Sequence, residues 1–532
     1  MIIRTQVAPE AIDKVTRLFN GSLTDIANEL LQNARRAAAS TIDITVGQPD
    51  DTGTTLTISD DGTGIPDPQT LLALGRSDWP SETCRREDPA GMGFFSLAGL
   101  TTRVETASFS MTIPHDAWTG NKDIEIEPGT RQAGTAITFK STITSAEAIT
   151  KRLQEALLFY PLRATIDGEP VKQADFLLSA DNIVTIGGLR IGVFKTELSP
   201  NHANINFYGL TLNHKLPAIS EIEHSRWSVK VDIIDDPDLV LVLPARKELF
   251  QNEAAQRLAR NCLEAIYRTI AAEPFHRLAF DKWQEACTFT DLPPAKPILS
   301  PWRPAPAHQD YRERYAPEPI PKGAILYDAG EPSDDISLAR ALDFSDASLK
   351  LFTSIPAFSG YDWYDAIPAY ATDAYRCLDD NGSELESDAI TQRPHRLTIT
   401  LASPTAPPIE LDTDAAILAC DAYCPDDVAI AVTNGSTIDA DDLATMIYDA
   451  VFSPSDDADA DSWDSQSSRF QHDAQVRAVE ILNGSSAAVM ADIRLAFFDK
   501  IAWRIPRGKK LTLSYANGNT ELALADLEET AP

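Results

Sequence analysis

Three short clusters within the first hundred residues carry side chains suited to phosphate chemistry. Glu29 and Asn33 stand four residues apart in Glu-Leu-Leu-Gln-Asn, hence on one face of a helix. A carboxylate there could take a proton from water, and an amide oxygen suits a hard divalent cation. Asp60-Asp61-Gly62-Thr63-Gly64 follows a run of alternating apolar residues. A carboxylate at such a strand end can accept from the exocyclic amine of a base, and glycines let a ligand approach the backbone. Gly91-Met92-Gly93 precedes Phe94-Phe95-Ser96, so free amides at the head of a helix would face an anion. Gly134-Thr135 opens a later strand. Each cluster alone also fits an ordinary role: a solvated helix face beside Arg35 and Arg36, an Asp-Gly turn, a glycine turn that starts a helix. The glycine cluster is neither a dinucleotide fingerprint, lacking a βαβ unit, nor a P-loop, lacking Gly-Lys-Ser/Thr.

Helices are predicted over 8–20 and 23–39, the second with Ile26, Ala27, Leu30, Leu31, Ala34 and Ala38 at helical spacing. Strands follow at 42–46 and 54–59. Residues 66–90 contain Pro66, Pro68, Pro80 and Pro89 and read as a loop or lid. A helix from 93 to 100 and strands at 103–108, 124–127 and 135–140 complete an α/β sandwich, a sheet covered on one face. A helix near 144–158, strands near 163–171, 183–195, 203–216 and 229–243, and a helix over 253–272 form a second α/β domain. Pro293 to Pro321 is proline-dense and reads as a semi-rigid linker. The expected division is 1–142, 143–290, a linker 291–322, and a mixed α+β domain 323–532.

The chain has 532 residues and a formal charge of −33 from 46 basic and 79 acidic side chains. That balance argues against broad nucleic-acid contact, which needs a basic face. The six cysteines, Cys84, Cys262, Cys287, Cys377, Cys420 and Cys424, form no metal-binding pattern and suit reduced thiols. No signal-like or membrane-spanning run is present, so a cytoplasmic location is expected. Asp457, Asp459 and Asp461 begin like a calcium loop, but Ser462 and Ser468 stand where the glycine and the closing glutamate belong.

Taken in order, the clusters resemble the GHKL superfamily, which includes the ninety-kilodalton heat-shock chaperone, MutL-type repair proteins, type II topoisomerase ATPase subunits and sensor histidine kinases. The resemblance covers about residues 15–140. It implies the Bergerat α/β sandwich and magnesium-ATP as ligand. It also implies Glu29 as the water-activating base, Asn33 as the magnesium ligand, and Asp60 with Gly62 and Gly64 at adenine. Gly91 and Gly93 would meet the phosphates, beside Gly134 and Thr135. The run from Gly91 to Ala98 is similar to the chaperone's phosphate motif. Leu243-Pro-Ala-Arg246-Lys247-Glu-Leu-Phe-Gln251-Asn252 resembles the chaperone's middle-domain loop, which makes Arg246 the candidate γ-phosphate contact and Lys247 the other choice. No phospho-acceptor helix precedes Glu29, which argues against a kinase. The resemblance implies an ATPase working as an ATP-gated clamp or chaperone-like remodeller of an unknown protein, with ATP-dependent homodimerisation. A nucleotide-sensing module with little turnover, and a MutL-like clamp on nucleic acid, stay open as alternatives.

Overall fold

The computed structural model describes residues 22–73, 93–118, 122–196, 202–236, 238–242, 248–308, 316–345, 348–385, 391–419, 425–455, 457, 461–516 and 518–526. The expected helix over 8–20 lies outside them. The chain divides into two units, Met1–Ala295 and Lys296–Pro532.

Helix α1 (Leu23–Arg36) starts at Ser22, whose hydroxyl accepts from the Asp25 amide at 3.1 Å. Its buried stripe is Leu23, Ile26, Ala27, Leu30, Leu31 and Ala34. The helix stops short of residue 39, because Ala38 turns left-handed (φ 55°) and reverses the chain. Ala38 is therefore exposed and outside the stripe, while Ala37 and Ala39 are buried.

The first sheet has eight strands: β1 (Thr41–Val46), β2 (Thr54–Asp60), β3 (Thr102–Thr106), β4 (Phe109–Ile113), β5 (Ile126–Pro128), β6 (Thr135–Ser141), β7 (Arg163–Ile166) and β8 (Glu169–Pro170). Their spatial order is β5-β4-β3-β6-β2-β1-β7-β8. Neighbours run antiparallel except β1 and β7, which run parallel. Helix α2 (Ala146–Leu157) buries Ile149, Leu153 and Leu157 in the core that α1 also covers. The result is the expected α/β sandwich. Its sheet reaches past residue 142: α2, β7 and β8, placed by the sequence reading in the second domain, complete the first one. β4 went unread, and 93–100 is a 3-10 helix at Gly93–Leu97 rather than an α-helix. Gly99, at φ +85°, ends any continuation.

The second sheet is built from β9 (Asn182–Ile186), β10 (Leu189–Phe194), β11 (Ile205–Phe207), β12 (Leu210–Leu212), β13 (Ile219–Ser220) and β14 (Arg226–Ile233), in the order β12-β11-β14-β10-β9 with β13 on β14. The expected single strands near 163–171, 183–195 and 203–216 are each hairpins. They reverse at Asp167-Gly168, Gly187-Gly188 and Tyr208-Gly209, with five of these six residues at positive φ. Helix α3 (Glu253–Ala271), capped by Asn252, covers this sheet with Leu258, Cys262, Ala265, Ile266 and Ile270. Helix α4 (Phe280–Cys287) follows.

In the second unit, β15 (Ile298–Leu299) pairs with β16 (Glu318–Pro319), and Trp302 is buried beside Ile325 and Tyr327. The proline-dense segment is thus partly built into a core rather than being only a spacer, because a tryptophan amid prolines still gains by burial. β17 (Ile325–Tyr327), helix α5 (Pro332–Phe344) and β18 (Leu351–Thr353) form a parallel crossover. β19 (Ala369–Leu378), β20 (Thr391–Gln392), β21 (Arg396–Ala402), β22 (Ile409–Thr413), β23 (Ala415–Ala419) and β24 (Ala429–Val432) follow. They make a five-stranded sheet β18-β17-β19-β21-β22 and a three-stranded one β20-β24-β23. Helices α6 (Ala440–Val451), α7 (Trp463–Asn483) and α8 (Ser485–Lys500) and the hairpin of β25 (Lys509–Ala516) and β26 (Asn519–Asp526) end the described chain. Among the described residues no helix is long and apolar enough to cross a membrane. Among them too, Cys262, Cys287 and Cys377 are free thiols and no acidic, cysteine or histidine cluster could hold a metal. Cys84, Cys420, Cys424 and Asp459 lie outside the described residues.

Candidate functional site

Glu29 sits on α1 but is only 8% exposed. A solvated helix face would leave such a carboxylate in water, since burying its charge is costly. Its carboxylate instead lies against the backbone of Gly93, where a Cβ would run into Oε2. Gly93 opens the 3-10 turn that Phe94 and Phe95 anchor on the Trp118 ring, at 5.5 and 5.9 Å between centroids. The first and third sequence clusters therefore meet, and glycine is what permits it.

Asn33 lies one turn further along α1, half-buried. Its amide oxygen accepts from Arg36 Nη1 at 3.2 Å. A divalent cation at that oxygen would meet a guanidinium of like charge, so holding one requires Arg36 to turn away.

Asp60 ends β2. Its carboxylate accepts from the Gly62 amide at 2.9 Å and from the Thr135 backbone N–H. Burial pushes its pKa above the ordinary carboxylate value, against the pull of those two donors. The turn beyond is stitched to the end of α1. Thr63 donates to the Ala37 carbonyl at 2.8 Å, and a Cβ on Gly62 would stand 2.6 Å from that oxygen. Gly64 and Gly134 are left-handed, at φ +71° and +70°, and the Gly134 backbone packs on the Asp60 carbonyl. Thr135 begins β6 beside them, 5% exposed. The helix with Glu29 and Asn33 and the turn with Asp60 are thus one assembly.

The neighbouring acid behaves differently. Asp61 accepts from the Ser40 hydroxyl at 2.5 Å and from the Ser40 and Thr41 amides at 2.6 and 2.9 Å, which hold its carboxyl well below the usual range. It braces the chain reversal after α1, a role that adjacency to Asp60 could have suggested. No local signal marked Tyr208, whose carbonyl accepts from Gln32 Nε2 at 3.0 Å across 176 residues. Gly91, Arg246 and Lys247, with 74–90 of the expected lid, lie outside the described residues.

The assembly thus gathers a desolvated acceptor held by backbone donors, a buried carboxylate at a glycine backbone, and an amide oxygen one helical turn from that carboxylate.

The family described as histidine kinase-, DNA gyrase B- and HSP90-like ATPases matches residues 20–143. No curated protein matches the chain. Solved structures similar in part include the ATPase region of Saccharomyces cerevisiae topoisomerase II, at 12% identity, 44% of this chain, 77% of that one and a TM-score of 0.32. The N-terminal domain of a DNA repair protein matches at 13% identity over 48% of this chain and 98% of its own, with a TM-score of 0.29. The ADP-complexed MutL ATPase domain of Aquifex aeolicus matches at 12% identity over 45% and 87%, with a TM-score of 0.22. Residues 20–143 form an ATP-binding domain of the histidine kinase-, DNA gyrase B- and HSP90-like ATPase family, the GHKL superfamily.

Proposed function

We propose that this chain hydrolyses ATP, with Glu29 as the general base. The observation that carries the reading is the burial of the Glu29 carboxylate against Gly93, the last residue of the glycine cluster. A water held there would lose a proton to Glu29 as its oxygen attacks the terminal phosphorus. The bond from that phosphorus to the bridging oxygen breaks, and ADP leaves with the electron pair. Asp60 accepts from the adenine amine and fixes the base. Asn33 is the residue that would hold magnesium, once Arg36 releases its oxygen. Magnesium, when bound, supplies charge neutralisation at the phosphates. Arg246, or else Lys247, supplies a second cation at the γ-phosphate.

Around this chemistry we place an ATP-gated clamp or chaperone-like remodeller, which self-associates when ATP binds and acts on a protein in the cytoplasm. The −33 charge supports a protein rather than a nucleic-acid partner. Glu29→Ala should lower phosphate release ~10²–10⁴-fold and leave ATP binding in calorimetry nearly unchanged. Wild-type turnover in that variant would remove Glu29 from the mechanism. Light scattering of the same variant should show the mass doubling with ATP; an unchanged mass would remove the clamp.

A further inference from the structure

Among the described residues, a turn of the second sheet packs on the helix layer of the first. The β11–β12 turn, Asn206 to Gly209, lies against the last two turns of α1 and the residues just after α2. Gln32, 4% exposed, donates to the Tyr208 carbonyl at 3.0 Å. The Arg35 guanidinium lies over the Tyr208 ring, 4.1 Å from its centroid, and also donates to the Gln32 side-chain oxygen at 3.3 Å. Both residues alternate along α1 with the site residues Glu29 and Asn33. From beside the turn, the Tyr160 hydroxyl donates to the Leu31 carbonyl at 2.5 Å. Gly209 packs so closely on Tyr160 that a Cβ would stand 2.7 Å from its ring.

The turn is held from its own side as well. Asn206, 5% exposed, accepts from the Gly209 amide at 2.9 Å and donates to Asp232 of β14 at 2.9 Å and to the Phe159 carbonyl at 3.3 Å. The Tyr208 backbone is left-handed, φ +52°, a conformation unfavourable for a bulky residue. Such strain persists where the surroundings over-determine it, and it gathers at functional contacts. A glycine would meet the backbone need without strain. The ring is therefore present for what it touches: the Phe207 ring, edge-on at 4.9 Å within its own turn, and, across the domain, Arg35.

We propose that Tyr208 is a positioning residue: its ring, on Arg35, sets how α1 presents Glu29 and Asn33 and carries the state of the nucleotide site to the second sheet. The inference rests on the ATPase reading of those two residues. A shift of α1 on closing around ATP must move Gln32 and Arg35 with it. The turn follows, and through Asn206 and Asp232 so does β14.

Two substitutions separate positioning from folding. Tyr208→Gly keeps the left-handed turn and the carbonyl but removes the ring; Tyr208→Phe keeps the ring. In the full chain, Tyr208→Gly should lower kcat about tenfold or more while KM and the calorimetric Kd for ATP stay within about threefold, since orientation and not binding is lost. Tyr208→Phe should stay near wild type. Hydrogen exchange adds a second readout. ATP should slow exchange in 205–212 and 226–233 of the wild type and of Tyr208→Phe, but not of Tyr208→Gly. Arg35→Leu should reproduce the Tyr208→Gly effects, and the double variant should add little. Wild-type kcat and ATP-linked protection in Tyr208→Gly, in a wild type that does turn over ATP, would overturn this inference alone. A wild type that binds no ATP would overturn the ATPase reading and this inference with it.

Discussion

Two strand-end carboxylates, one in each unit, meet opposite fates. Asp414 stands between β22 and β23 and is 1% exposed. Burial works against its charge, but Arg340 from α5 grips it through two bonds at 2.7 and 2.8 Å and the Ser436 hydroxyl adds a third at 2.9 Å. Its pKa falls below the ordinary value. Asp60 is also desolvated, but backbone amides hold its carboxylate, and its pKa rises. Arg131, the nearby cation, donates to the Asp60 carbonyl rather than to the carboxylate, at 3.3 Å. A side-chain cation neutralises an acid and commits it to structure. Neutral backbone donors orient an acid while leaving its charge to be answered by something else. By that contrast the acidic C-terminal unit is braced at Asp414, and the first sheet keeps a desolvated acceptor at Asp60, as the proposed adenine contact requires.

The largest expected effect sharpens the structural side. Arg340→Met should cost the C-terminal unit roughly 3 kcal/mol, because it leaves a buried, uncompensated carboxylate. ATP affinity should not change. Chemical denaturation followed alongside ATP titration checks both, and unaltered stability would erase the contrast. The sign with pH follows: a depressed folded pKa contributes stability above the unfolded value of Asp414, lost as pH falls through the folded one. Arg340→Met should flatten that acid limb.

Next comes the candidate site. Gly93→Ala should drive a methyl into the Glu29 carboxylate, displace the base, and lower turnover ~10²-fold with the fold kept. Phosphate release and a thermal melt test this, and full turnover would show that the contact is incidental. The smallest effect is a pH dependence. An ionised Asp60 is the stronger acceptor for an amine, so ATP affinity should weaken as pH falls through its pKa, which burial raises above the ordinary carboxylate value. In Asp60→Asn, already weaker by about 1–3 kcal/mol, that step should vanish. Parallel affinity–pH curves for the two proteins would assign the step elsewhere.

What the sequence showed of this site is what short spacing can encode. Glu29 and Asn33 share a helix face, and Asp60, Gly62 and Gly64 share one turn. The order of the clusters and the resemblance they carry put Gly93 at the phosphates; its contact with Glu29 is a finding of the structure. What it hid depends on contacts far apart along the chain. β7 joins β1 in parallel, Ile42 beside Ala164, so the first sheet closes beyond the expected boundary. The Tyr208 turn falls in the middle of the strand expected near 203–216, since tyrosine favours strands and nothing local marks its left-handed backbone. The Arg36 bond to Asn33 was within reach of helical spacing, yet its competition with a cation shows only when the geometry is drawn.

The proposal that Asp60 accepts from the adenine amine is tested most directly by comparing ATP with GTP in calorimetry. Guanine offers a carbonyl oxygen where adenine offers the amine, so two acceptors would face each other. The wild type should favour ATP by about tenfold or more, the equivalent of one lost hydrogen bond, and Asp60→Asn should narrow the gap. Equal wild-type affinity for the two nucleotides would contradict the account.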